Sequence, residues 1–155
     1  MTETVINSKS RQTAVLLETT YQNVRWLCIA ILDLMPRVKD AELKSDLTVA
    51  LSVFDAFASR AAKLLAEEGV KPAAESMMSR MMAKWGTVMQ AMKDSSAQGL
   101  VEILLQGATD GVSEMLRALR EAENTGVSED ALRLARDLCA YEEKTVSEMK
   151  DKYLR

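Results

Sequence analysis

The sequence predicts an all-α fold, a four-helix bundle made of two antiparallel hairpins joined by a helical crossover. Three observations carry that reading. Apolar residues recur at spacings of three and four along nearly the whole chain, the period of one helix face. Helix-stopping residues break the pattern at Pro36, Gly69, Asp94-Ser95-Ser96 and Asn124-Thr125-Gly126. No stretch alternates apolar and polar residues as a half-buried strand would, and there is no fixed-period repeat or low-complexity tract.

The first helix, residues about 10–35, follows a polar lead-in. It sets Leu17, Thr20, Val24, Leu27, Ile31 and Leu34 on one stripe, with Glu18, Gln22, Arg25 and Asp33 largely opposite. Pro36 stops it. A second helix, about 38–68, carries Leu43, Leu47, Ala50, Phe54, Phe57, Ala61 and Leu64 and ends at Gly69, a natural left-handed cap. The tight Met35-Pro36-Arg37 junction makes these two an antiparallel hairpin. Lys71-Pro72 restarts the chain into a shorter third helix, about 73–93, whose inner side is almost all methionine (Met77, Met78, Met81, Met82, Met89, Met92) around Trp85.

Asp94-Ser95-Ser96 offers a cap for the fourth helix, about 97–123, which packs through Val101, Leu104, Ala108, Val112, Met115 and Leu119. Ser128 caps the fifth, about 129–153, which buries Leu132, Ala135, Leu138, Cys139, Val146 and Met149. The shorter third helix is the odd one out. A connection running the length of a bundle needs roughly 30 residues, and residues 69–96 supply that span. The expected organisation is one domain, 1–155.

The totals narrow the function classes. A 17.2 kDa chain buries enough surface to fold without a metal or disulfide. Aromatics at 5% are too few for a base-stacking platform, and a net charge of −3 with Lys and Arg interleaved among Asp and Glu leaves no basic patch, so nucleic acid and anionic membrane are excluded as partners. Met1 to Arg11 lacks the apolar core of a signal peptide, and no apolar run approaches the ~20 residues that span a bilayer, so a cytoplasmic location is expected. Cys28 and Cys139 lie in separate helical apolar patterns and read as small buried hydrophobes in a reducing compartment.

In the order Lys84-Trp85-Gly86-Thr87-Val88-Met89, Asp94-Ser95-Ser96 and Ile103-Leu104-Leu105-Gln106-Gly107-Ala108-Thr109-Asp110-Gly111, with a final helix ending in Lys152-Tyr153-Leu154, the chain resembles a bacterial family of ferritin-like four-helix-bundle proteins known only as a domain of unknown function. The resemblance covers most of the chain. It implies a ferritin-like topology without implying an activity.

Set against the ferritin pattern, the chain lacks the ligands. It contains no histidine, whereas a di-iron bundle takes a Glu from each of two helices and a Glu-x-x-His pair from each of the others. Glu18 could stand for the first carboxylate, but the second helix offers only Asp55, with Ala58 at i+3. The fourth helix has Glu102 and Glu114 at the edge of its stripe. In the last, Glu142 is followed at i+3 by Thr145 and Glu143 by Val146. Glu142, close to the buried face, reads either as a boundary residue that reaches solvent or pairs with an Arg, or as a ligand with Glu18 in a carboxylate-only site suited to Mg, Ca or Mn.

Thioethers at Met77, Met78, Met81 and Met82 could grip Cu(I). No His or Cys lies near to complete such a site, so core packing or a partner-binding face is the better reading. Gly107 and Gly111, one turn apart, each cost about 1 kcal/mol relative to Ala and imply close approach of another backbone, within the bundle or from a second subunit. No phosphate loop, paired-cysteine knuckle, nucleophile elbow or dinucleotide fingerprint is present.

The expected protein is therefore a non-catalytic helical bundle without a cofactor. It would work through protein–protein interaction or self-association, as a dimer, using Met77, Met78, Met81, Met82, Gly107 and Gly111 as its surface. A carboxylate-based divalent-metal protein centred on Glu18 and Glu142 is the alternative, and a bundle binding an apolar small molecule between helices the second.

Overall fold

A computed structural model describes residues 3–70, 76–93 and 95–154, with side chains from residues 10, 79 and 95 onward in those spans. Helices α1 (Glu3–Leu34) and α2 (Ala41–Glu67) are joined by a 3-10 turn at Met35–Arg37, and α3 (Ser76–Ala91), α4 (Ala97–Ala122) and α5 (Glu129–Tyr153) follow. No described residue lies in a strand. The first helix starts at Glu3, seven residues before the expected start at about residue 10. Nothing in Glu3 to Ser10 breaks a helix, and extending one already nucleated costs little per residue. The second begins at Ala41, not 38, because the Asp40 carboxylate accepts a hydrogen bond from the Leu43 N–H and fixes the N-cap. Ser96 and Ser128 cap α4 and α5 in the same way, through the N–H groups of Gly99 and Ala131.

The helices close a ring in the order α1, α2, α5, α4, with α1 and α5 also meeting across the middle. Paired contacts give the senses. Arg60 reaches Asp137 while Asp46, a few turns earlier, receives Lys152 and Tyr153, so α2 and α5 run in opposite directions. The Ser128 N–H donates to Thr13 Oγ1 and Asn23 donates to Glu142, so α1 and α5 run in the same direction. This is two antiparallel hairpins linked by a crossover. The crossover helix α3 lies along α1, where the Trp85 Nε1–H donates to Asp33 Oδ2 at 3.2 Å and its ring meets Trp26 edge to face at 5.6 Å.

The core fills from all four long helices: Leu17, Leu27 and Ile31 of α1, Leu43 and Leu47 of α2, Leu100 and Met115 of α4, Leu134 and Leu138 of α5 are each at most 2% exposed. Each such side chain contributes roughly 1.5–3 kcal/mol over its exposed state. Because α1 touches every other helix, burial extends beyond one stripe. Gln22, expected on the solvent side, is buried, and Glu18 and Arg25 are half-buried. Trp85 is 4% exposed, while Met81, Met82, Met89 and Met92 are half-buried around it. The side chains of Met77 and Met78 lie outside the described residues, as do Pro72 and Asp94.

Gly107 and Gly111 of α4 face side chains, not a second backbone. A methyl group at Gly107 would fall inside the Trp26 ring, and one at Gly111 would sit 2.5 Å from Asn23 Oδ1. The indole is large and stiff and also packs edge to face against Trp85, so it has little room to shift. Gly107→Ala is therefore expected to destabilise the protein by roughly 1–3 kcal/mol through overpacking, despite the better helix propensity of Ala. Urea midpoints of Gly107→Ala in the wild-type and Trp26→Leu backgrounds check this. The cost should fall by more than half when the indole is gone, and equal costs in the two backgrounds would refute the contact.

Candidate functional site

At the middle of the bundle α1 presents Asn23 and, one turn on, Trp26 toward α4, while α5 presents Glu142. Gly111 and Gly107 leave room for both α1 side chains. The Asn23 Nδ2 donates to Glu142 Oε1 at 2.8 Å and lies 3.4 Å from the Gly111 carbonyl. Glu142 is 1% exposed, and its second oxygen, Asn23 Oδ1 and Trp26 Nε1 have no hydrogen-bond partner among the described residues. Its carboxyl is neither a boundary group nor paired with an arginine. Burial raises its pKa to about 8, the Asn23 amide pulls it partly back, and nearby Glu143 pushes it up, so the group is mostly neutral at pH 7.

Glu142 also lines a cavity of about 20 Å³ walled by Leu27, Ile31, Leu104, Ala108, Val146 and Met149, room for about one water. These surroundings do not fit a metal. Glu18, the other expected ligand, lies five residues, about 7.5 Å, before Asn23 along α1 and is only half-buried. Asp55, Glu102 and Glu143 are exposed. Among the described residues no three His, Cys, Asp or Glu side chains come together to hold an ion. The two thiols are free and buried, and desolvation pushes Cys28 up to about 11 and Cys139 to about 12, so neither is a ready nucleophile.

A second feature lies outside the core. Between α3 and α4 runs an open groove of about 800 Å³, floored by Trp26, Trp85 and Gly107. Of the residues proposed as an interaction surface, Met81 and Gly107 line it, Met82 is half-buried nearby on α3, and Gly111 is covered by Asn23.

Asn23 and Trp26 were not singled out by sequence pattern. Their signal was present: Thr20, Asn23, Val24 and Leu27 follow helical spacing, so an amide falls on the packed face, opposite a chain segment with two glycines.

No family model matches the chain, and no curated protein matches it. Among solved structures it is similar to a point mutant of Mycobacterium smegmatis Dps1, with a TM-score of 0.74 over 97% of this chain and 98% of that one, at 12% identity. The fold is thus ferritin-like. Among the described residues no helix is long and apolar enough to cross a membrane.

A pH dependence follows from Glu142. Its pKa is higher folded than unfolded, so the folded state holds a proton that the unfolded chain releases. Stability is greatest below about pH 4.5 as far as this group is concerned, and falls as pH rises through about 8. The unfolding free energy of the wild type should drop by on the order of a few kcal/mol between pH 5 and pH 8.5. Glu142→Gln should flatten that slope and be the more stable protein at pH 8.5. Chemical denaturation at both pH values reads this, and an unaltered slope in the variant would contradict a neutral buried carboxyl.

Proposed function

We propose that this protein is a non-catalytic, cytoplasmic ferritin-like bundle that acts by association, with a second copy of itself or with another protein. The observation that carries the reading is the bundle's midsection. Where a ferritin-like metal centre would need several carboxylates and nitrogen donors, Glu142 stands with one amide and apolar neighbours. The chain is then a ferritin-like bundle in which packing stands where metal ligands would.

Exposed apolar side chains supply the association surface. Val15 of α1 is 57% exposed and Leu116 of α4 is 42% exposed, toward the same end of two adjacent helices. Leu32 and Val49 form a second such pair near the α1–α2 turn. Self-association runs through Val15 and Leu116.

Metal analysis and light scattering on the purified chain test it. A dimeric mass that Val15→Glu combined with Leu116→Glu returns to a monomer, in protein free of stoichiometric iron or manganese, is the expected result. A monomer at every concentration would remove self-association. Near-stoichiometric metal lost on Glu142→Gln would put the carboxylate-metal reading in its place.

A further inference from the structure

The groove between α3 and α4 is not accounted for by the midsection or by association through Val15 and Leu116. It exists because α3 packs on α1, not on α4. Residues 92–96 join the C-terminal end of α3 to the start of α4, so the two helices run in opposite senses. Between them the volume of about 800 Å³ falls within the range of small-molecule sites, about 300–1,000 Å³.

Its two ends differ in chemistry. At the N-terminal end of α3, Arg80 faces the stretch of α4 that carries Glu114 and Arg117. Arg117 has Glu114 as its partner at 3.5 Å, whereas Arg80 has no ion pair among the described residues. Two guanidinium groups thus meet one carboxylate. Midway, Lys84 and Asp110 span the groove at 3.4 Å, but their side chains are 75% and 60% exposed, so water screens the pair and it can yield to a ligand. Beyond it the walls are Val88 and Ile103, both half-buried and uncharged, with the two indoles lining the same groove.

We propose that this groove binds a single-headed anionic amphiphile, an alkyl carboxylate of medium chain length, with its head at Arg80 and Arg117 and its chain along Val88 and Ile103. A planar guanidinium suits a carboxylate in two-point contact, and one on a groove wall with no ion pair among the described residues offers it at little desolvation cost. From Arg80 to Val88 the helix rises about 12 Å, the reach of a chain of roughly ten carbons. A cationic amphiphile would meet the arginines with like charge, and a neutral one would gain nothing at that end.

Decanoate below its micellar concentration is the probe, titrated into the full chain in whatever assembly it adopts, so the result does not depend on self-association. Decyltrimethylammonium and decanol are the comparators, and calorimetry and tryptophan emission the readouts, since both indoles floor the groove. Decanoate should bind saturably, one per chain, at least tenfold more tightly than either comparator. Arg80→Ala should weaken it about tenfold while leaving helicity and unfolding midpoint unchanged, and Ile103→Glu should abolish it. Non-saturable uptake, equal affinity for the cationic comparator, or decanoate binding indifferent to Arg80→Ala would each overturn the proposal.

Discussion

The structure depends most on one contact, the Trp26 indole laid against Gly107. Removing a side chain from α4 lets an aromatic ring of α1 occupy the space, and that ring sets the separation of the two hairpins. Its outer edge receives Trp85, which fastens the crossover helix to α1 and hands its own N–H to Asp33. The same approach one turn away brings the Gly111 carbonyl within reach of Asn23, and through Asn23 the amide reaches Glu142. A glycine in a helix interior gives up about 1 kcal/mol relative to Ala. Burial of an indole, whose removal typically costs 3–5 kcal/mol, more than offsets that.

The buried carboxyl follows from the same geometry. An ionised carboxylate with one amide donor in an apolar setting is costly, and protonation is the cheaper outcome, because charging it would require lone pairs to be satisfied that have no donors nearby. The small cavity beside it is part of the balance. Its walls are apolar apart from Glu142 and Thr145, so it offers a water few partners besides the acid itself. A neutral acid bonded to an amide therefore links α1 and α5 across the bundle, where an ionic centre would have demanded ligands from all four helices.

How much of this was legible in the sequence divides along physical lines. Spacing of apolar residues and the stops at Pro36 and Gly126 were enough for helices and topology, because periodicity and backbone restriction are local properties. The cost of Gly107 and Gly111 was legible too, but its compensation was read as backbone approach when the partners are Trp26 and Asn23. Spacing along one helix says which positions share a face, not which residue of another helix fills the space opposite. The state of Glu142 was hidden for the same reason: whether a carboxyl at a stripe's edge reaches water depends on the width of the buried arc, and α1 touching every other helix made burial broader than any single stripe suggests.

The crossover shows why such a bundle can carry a groove without losing stability. A helix whose inner face is methionine packs adequately against several surfaces, since an unbranched thioether side chain adjusts its shape at little cost. Here one rigid anchor, Trp85, fixes α3 on α1, and the half-buried Met81, Met82, Met89 and Met92 accommodate what is left. The α4 side of α3 is thereby released from core packing, and its residues are free to be charged at one end and apolar at the other. Four long helices with a closed core supply the stability, so the crossover helix is the one element of the fold that can trade tight packing for a surface open to another molecule.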